Sequence, residues 1–416
     1  MTYLAIAVMM RSAPPSWTWI PLRRVASLRR MPNRNGDAQL LALSSERGIE
    51  ARPEDGGRQL PSEATIFDYW LVEPEDLVFN PMWAVGGGVG VSRVSGAVSP
   101  AYRTYRLLPT IVPRFLDYYL RSTPVLAQYR LVVRGLTTFD RSVTREDFEG
   151  MPIPLPPLVA QQAIVDYLDR ETARSDALVQ KKQLLLDRLG ERLEAVRDGW
   201  VRDQFEKAGS SPFRRLLARV EQGWSPECDG AEADPAEWGV LRTSSVSSGV
   251  FRPSENKRLP ASITPDLRWV VRDGDLLLVR GSGSPGSVGQ SAVARTEGRM
   301  LLLSDLLYRL VCPSTNPQFL AAVLTAPTVR GLIEGSIRTD SGQTLKLRGD
   351  DIRQLPIPRT PPEEQAHAVL QLDAACRPVI ASIERIQMQM RLLSEYRASV
   401  ITAAVTGELG ISRVAA

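Results

Sequence analysis

Histidine is nearly absent from this chain: among 416 residues there is one, His367. A triad built on a histidine base therefore has a single candidate, and a metal site with two histidine ligands is impossible. Cysteine is scarce as well. Cys228, Cys312 and Cys376 are too few and too scattered for a disulfide framework or a metal cluster, which predicts a protein of the reducing cytoplasm. There is no Walker A sequence, so ATP-driven chemistry has no phosphate cradle. No segment approaches a transmembrane span. Met1 to Met10 is apolar but too short to cross a bilayer, and it lacks the charged start of a signal peptide. That leader reads as unstructured, or as a start codon placed too early, with the true start near Met9 or Met10.

Lysine is rare too. Only five of the 51 basic residues are lysines, namely Lys181, Lys182, Lys207, Lys257 and Lys346. Net charge is +4, yet between residues 93 and 141 eight arginines face only Asp117 and Asp140, a local excess of six. A field of that sign suits a polyanion, and the guanidinium fork suits phosphates and guanine edges. Arginine enrichment also follows from GC-rich coding, so composition alone does not establish DNA binding.

Two motifs suggest catalysis and fail on context. Gly281-Ser-Gly283-Ser-Pro-Gly286 has dinucleotide-loop spacing after the apolar run Leu276-Leu-Leu-Val279, but no long apolar-periodic helix follows it. Gly86-Gly-Gly-Val-Gly90 is also glycine-rich with different spacing, which points to a turn common to two places in the chain. Asn80-Pro-Met-Trp83 approximates the Asn-Pro-Pro-aromatic signature of adenine-N6 methyltransferases, without the second proline and without a preceding glycine loop for S-adenosylmethionine. The chain is therefore expected to catalyse nothing.

What the chain has instead is a duplication. Met151 to Asp169 returns at Leu355 to Asp373, and eight of 19 positions are identical, where unrelated sequence would give roughly one. The same offset of 204 matches Val112-Pro-Arg-Phe115-Leu116 with Asn316-Pro-Gln-Phe319-Leu320. Further back the offset falls to 199, and Trp70 to Asp76 pairs with Trp269 to Asp275. A period this long lies far outside solenoid repeats of roughly 20–50 residues. It means two similar domains, each followed by one similar helix.

Both helices carry a heptad seam. The first runs through Val165, Leu168, Thr172, Ser175, Val179, Lys182, Leu186, Leu189, Leu193, Val196 and Trp200. The second runs through Val369, Leu372, Cys376, Val379, Ile383, Ile386, Met390, Leu393, Arg397, Val400 and Ala404. Each apolar stripe needs a partner, and the simplest is the other helix. A helix from about 158 to 206 would extend roughly 70 Å, which makes it a spacer. Gly190 and Gly199 each cost about 1 kcal/mol in a helix interior, and Pro378 is expected to kink or restart the second helix.

Pro-Leu-Pro-Pro157 to Asp169 with Glu171-Thr172 and Lys181-Lys182, and Pro361-Pro-Glu-Glu-Gln365 with Glu395-Tyr-Arg to Gly407, resemble the two central repeats of type I restriction-modification specificity subunits. Gly223-Trp-Ser-Pro226, Trp238-Gly-Val-Leu-Arg-Thr and Gly249 to Pro260 resemble a target recognition domain of that family. The resemblance covers nearly everything from Trp17 to Gly410. It departs where Leu158-Val-Ala precedes Gln161 without the usual glutamate, and where the first helix ends Glu191-Arg-Leu-Glu rather than in the Glu-Tyr-Arg form.

The resemblance implies an α+β protein: two similar target recognition domains, each followed by a long helix, the helices pairing as an antiparallel coiled coil. The boundaries expected are a leader at 1–16, a first recognition domain at 17–156, a central helical repeat at 157–208, a second recognition domain at 209–358, a C-terminal helical repeat at 359–408 and a tail at 409–416. It implies a non-catalytic subunit that reads a bipartite target in double-stranded DNA. DNA contacts are expected from Arg93, Arg103, Arg106, Arg134 and Arg141 in the first domain, and from Arg242, Lys257, Arg258, Arg280, Ser282, Ser284, Arg338 and Lys346 in the second. The helices would dock two modification subunits, and through them restriction subunits. S-adenosylmethionine, ATP and Mg would sit only on those partners. A stand-alone adenine methyltransferase and a DNA-independent scaffold are the rival readings.

Overall fold

The computed structural model describes Ile6, Met10 and residues 13–44, 48–52, 66–135, 141–247, 249–339 and 345–411. The chain divides into two compact units, Met1–Lys182 with Met388–Ala416, and Gln183–Gln387.

In the first unit Leu77, Val78 and Phe79 are an unbroken apolar triplet buried on both faces, as an interior strand requires. They form β6 (Leu77–Phe79) of an antiparallel sheet ordered β2-β9-β6-β7, with β2 (Ala26–Arg29), β7 (Val89–Val91) and β9 (Arg103–Leu107). β1 (Thr18–Pro21) pairs with β10 (Pro152–Leu155), so the Pro-Ile-Pro stretch lies in a two-stranded ribbon whose prolines need no ladder donor. Two small ribbons complete the strands, β3 (Leu41–Ser44) with β4 (Gly48–Ala51) and β5 (Trp70–Val72) with β8 (Gly96–Val98). α1 (Pro113–Leu120), α2 (Thr123–Val132) and α3 (Arg145–Glu149) cover the sheet. Phe79, Tyr105, Tyr129 and Phe148 fill the core between them, with Phe79 and Phe148 stacked at 3.7 Å. Ile6, from the leader, is buried in the same core.

The second unit repeats the plan. β11 (Ser210–Pro212) pairs with β24 (Pro356–Pro358), and the main sheet is ordered β12-β21-β17-β19, from β12 (Arg219–Gln222), β17 (Leu276–Val279), β19 (Ser291–Val293) and β21 (Leu307–Val311). α5 (Pro317–Thr325), α6 (Pro327–Gly335) and α7 (Gly349–Gln354) stand in for α1, α2 and α3. The copies differ in their second layer. Here it comprises β13 (Trp238–Leu241) between β16 (Asn256–Arg258) and β20 (Met300–Leu302), the hairpin of β14 (Val246–Ser247) and β15 (Val250–Phe251), and a small sheet of β18 (Gly281–Ser282), β23 (Leu345–Lys346) and β22 (Arg338–Thr339).

The two long helices are α4 (Leu158–Ala208) and α8 (Pro362–Val405). All 22 seam positions are buried or half-buried, whereas most residues between them are exposed. Within the first unit Lys182 Nζ donates to Gln389 Oε1 at 2.6 Å and Arg397 meets Asp176 at 3.5 Å. Both charged seam residues thus reach a polar group on the facing helix. Within the second unit Trp200 Nε1 donates to the Ala368 carbonyl at 3.0 Å, and Gln204 accepts from Thr360 at 3.1 Å. As numbers rise along α4 they fall along its partner, so the pairing is antiparallel.

One expectation about the second helix is corrected. α8 does not restart at Pro378 but continues through it. Proline removes one backbone donor on an exposed face, while Cys376 and Val379 on either side of it stay buried in the seam. Tertiary contact outweighs the lost hydrogen bond.

Candidate nucleic-acid interface

The doubled glutamine is a lock. Gln161 is fully buried, accepts from Val112 N at 2.7 Å and donates to the Pro156 carbonyl at 2.9 Å. Gln365 accepts from Asn316 N at 2.7 Å and donates to the Thr360 carbonyl at 2.9 Å. Each clamps the first turn of a long helix to the residue that opens α1 or α5. The preserved Pro-Pro and Gln positions therefore fix how each globular part meets its helix.

A second matched device is a turn carboxylate. Asp76 Oδ2 accepts from Glu73 N, and Asp275 Oδ2 from Arg272 N, both at 2.9 Å. The cations serving them come from opposite strands. Arg29 lies opposite Thr104 in the first sheet, and Glu221 opposite Arg309 at the same register of the second. Arg29 reaches Asp76 at 2.7 Å, whereas Arg309 reaches Asp275 at 3.1 Å and Glu221 at 2.7 Å. Hydrogen bonds from Arg29 and then Arg106 hold the Glu73 carboxyl down at about 2.

These networks change the standing of several residues picked from sequence. Several arginines between 93 and 141 are paired, some with carboxylates outside that stretch: Arg106 with Glu73 and with Asp76, Arg114 with Asp117 and Asp169, and Arg134 with Asp147. Asp140 lies outside the described residues. In the second unit Arg258 meets Asp229 at 3.3 Å, and Arg242 donates to the Asn256 and Gly230 carbonyls. Arg280 stacks over Tyr308 and bonds its hydroxyl at 3.1 Å. Arg93 is exposed on the turn between β7 and β8, and Lys257 is exposed on β16.

Several of the residues lie near one loop connection in each unit. In the first, the β6–β7 connection is the 3-10 turn Pro81–Gly86, capped by Asn80 Oδ1 accepting from Met82 N at 3.1 Å. Arg134 bridges Ser142 beside exposed Arg141, and Val143 N donates to the Pro81 carbonyl at 3.0 Å. Arg103 lies on β9 opposite Phe79, with a buried guanidinium nitrogen that has no hydrogen-bond partner among the described residues. In the second, the β17–β19 connection carries Arg280, Ser282 and Ser284. There Gly281 pairs with Lys346, and Lys346 with Arg338. Gly87 (φ +86°) and Gly289 (φ +77°) close the two connections in the left-handed region that favours glycine. Both glycine-rich stretches are thus parts of matching loops, as the sequence suggested.

Sequence reasoning missed the apolar tip of the first loop. Met82 and Trp83 are 54% and 41% exposed. Their signal is the Asn-Pro-Met-Trp motif, which from the sequence alone reads only as an incomplete methyltransferase signature; Asn80 proves to be a turn cap. The thiols of Cys228, Cys312 and Cys376 are free, and burial pushes Cys312 up to about 12. Among the described residues no helix is long and apolar enough to cross a membrane.

No family model matches the chain. Over 150 residues, 35% of its length, it is 31% identical to the type I restriction enzyme EcoEI specificity subunit of Escherichia coli, a stretch that is 25% of that protein. Over 274 residues, 63% of its length, it is 26% identical to the type I restriction enzyme EcoKI specificity subunit of Escherichia coli strain K12, of which it spans 58%. The chain thus spans less than two thirds of either curated relative. A chain from a solved structure described as the structural basis of complex assembly and conformational transition of the type I R-M system is 17% identical. The match covers 94% of this chain and 98% of that one with a TM-score of 0.59, a likeness of fold. The chain is thus similar in sequence to two specificity subunits of type I restriction enzymes, and similar in fold, over nearly its whole length, to a chain of a type I R-M system.

Proposed function

We propose that the chain is the non-catalytic, sequence-specific DNA-binding subunit of a type I restriction-modification complex. Each unit would read one half of a bipartite target in double-stranded DNA through its loop cluster. The observation that carries the reading is the duplicated unit, in which the same sheet, the same glutamine lock and a basic loop cluster occur twice on antiparallel helices. Two readers on one chain explain a target in two pieces, as half-site spacing follows protein geometry in dimeric repressors. Side chains in a groove would give specificity, and phosphate contacts much of the affinity.

The seam residues hold the helices together, and their outward faces would dock two modification subunits and, through them, restriction subunits. S-adenosylmethionine, ATP and Mg2+ would be supplied by those partners.

Two measurements test this reading against its rivals. Purified chain is expected to bind duplex DNA with an affinity that falls as salt rises; salt-insensitive or absent binding would leave only a scaffold. It is expected not to bind S-adenosylmethionine alone, and binding in a calorimeter would point to a methyltransferase.

A further inference from the structure

The exposed tip at Met82 and Trp83 is built rather than loose. Asn80 caps its turn, Gly87 closes it, and the Pro81 carbonyl ties it to the segment that follows Arg141. Two of its glycines make room for Trp83: a Cβ at Gly86 would lie 2.4 Å from the indole Nε1, and one at Gly88 would lie 2.7 Å from the Trp83 carbonyl oxygen. The ring therefore lies against Gly86, with 41% of the residue exposed. Gly86 and Gly88 thus leave the space in which the Trp83 ring and backbone sit. The corresponding loop of the second unit has Ser282, Gly283, Ser284 and Gly286 in place of an apolar tip.

An indole fixed in place, next to a large exposed thioether, on a turn tied through Val143 to the segment that carries exposed Arg141 and bridges Arg134, has the mixed character of a nucleic-acid contact. Basic groups hold phosphates, while apolar side chains meet thymine methyls or wedge between base steps. We propose that Trp83 and Met82 are specificity-determining contacts of the first unit, reading one half of the duplex target by apolar contact with bases. The second unit reads its half through polar side chains. The inference rests on the proposed DNA-reading function.

The test is selection from a pool of randomised duplexes by the full chain, isolated with whatever subunits accompany it. Wild type is expected to enrich a two-part motif. Trp83→Ala should lose base preference in one part and keep the other, with affinity for the wild-type motif weakened about tenfold. Trp83→Phe should restore the lost part. The dependence of affinity on salt should be unchanged in Trp83→Ala but shallower in Arg141→Ala, by about 0.9 in the logarithmic slope for one phosphate contact. A Trp83→Ala motif identical to wild type, loss spread equally over both parts, or a shallower salt slope would each overturn the inference. Failure of wild type to enrich any motif would instead overturn the function on which it rests.

Discussion

Gln161 and Gln365 show how much one side chain can settle. Each satisfies a backbone donor and a backbone acceptor where a globular part joins its helix. Truncation to alanine strands both groups, which costs about 1–3 kcal/mol for each. Either Gln→Ala variant should therefore unfold at lower denaturant than wild type, as measured by circular dichroism; unchanged midpoints would show the locks to be incidental. Glu73 gives a pH prediction of definite sign. Its carboxyl is lowered from 4.5 to about 2 by hydrogen bonds from Arg29 and Arg106. The stabilisation is present above 4.5 and is lost as pH falls through the folded value near 2. A Glu73→Gln variant should lose less stability than wild type between those pH values in parallel acid titrations. The locks were legible from the sequence only as repeated letters, because identity at a matched position does not say what a side chain bonds. The Glu73 network was not legible at all, since strand pairing brings Arg29 to Glu73 and Asp76 from more than forty residues away.

At the scale of the element, the long helices were the most legible feature, because a heptad pattern is local and survives wherever the stripe is covered. Even Lys182 and Arg397 keep to the seam by finding polar partners across it. Pro378 does not restart the helix, because the seam residues on either side of it stay buried against the facing helix. Gly190 and Gly199 lie in the helix interior, and a Cβ at either would meet nothing within 4 Å. Each Gly→Ala substitution is expected to stabilise the protein by about 1 kcal/mol in thermal unfolding. Destabilisation would mean that the helix is strained at those points. The loop clusters were half legible: the glycines marked turns, but which arginines stand free depended on carboxylates that arrive from other strands.

Across the whole molecule, the duplication announced two units and one common sheet, but not the divergent second layers, whose sequences share little. In the proposed reading the helices set the gap between half-sites. Matched seven-residue insertions, one in α4 between Leu189 and Val196 and one in the facing stretch of α8 between Cys376 and Val379, lengthen each helix by about 10 Å. The gap should grow by about three base pairs at ~3.4 Å each, with both half-sites unchanged. Altered base preference with an unaltered gap would defeat that idea. The most direct measurement is a map of methylated adenines in cells that carry this gene and in cells from which it is deleted. The account predicts that deletion abolishes methylation at one bipartite sequence whose two parts are separated by a constant number of unread bases. Loss of a contiguous motif, or loss of none, would contradict it.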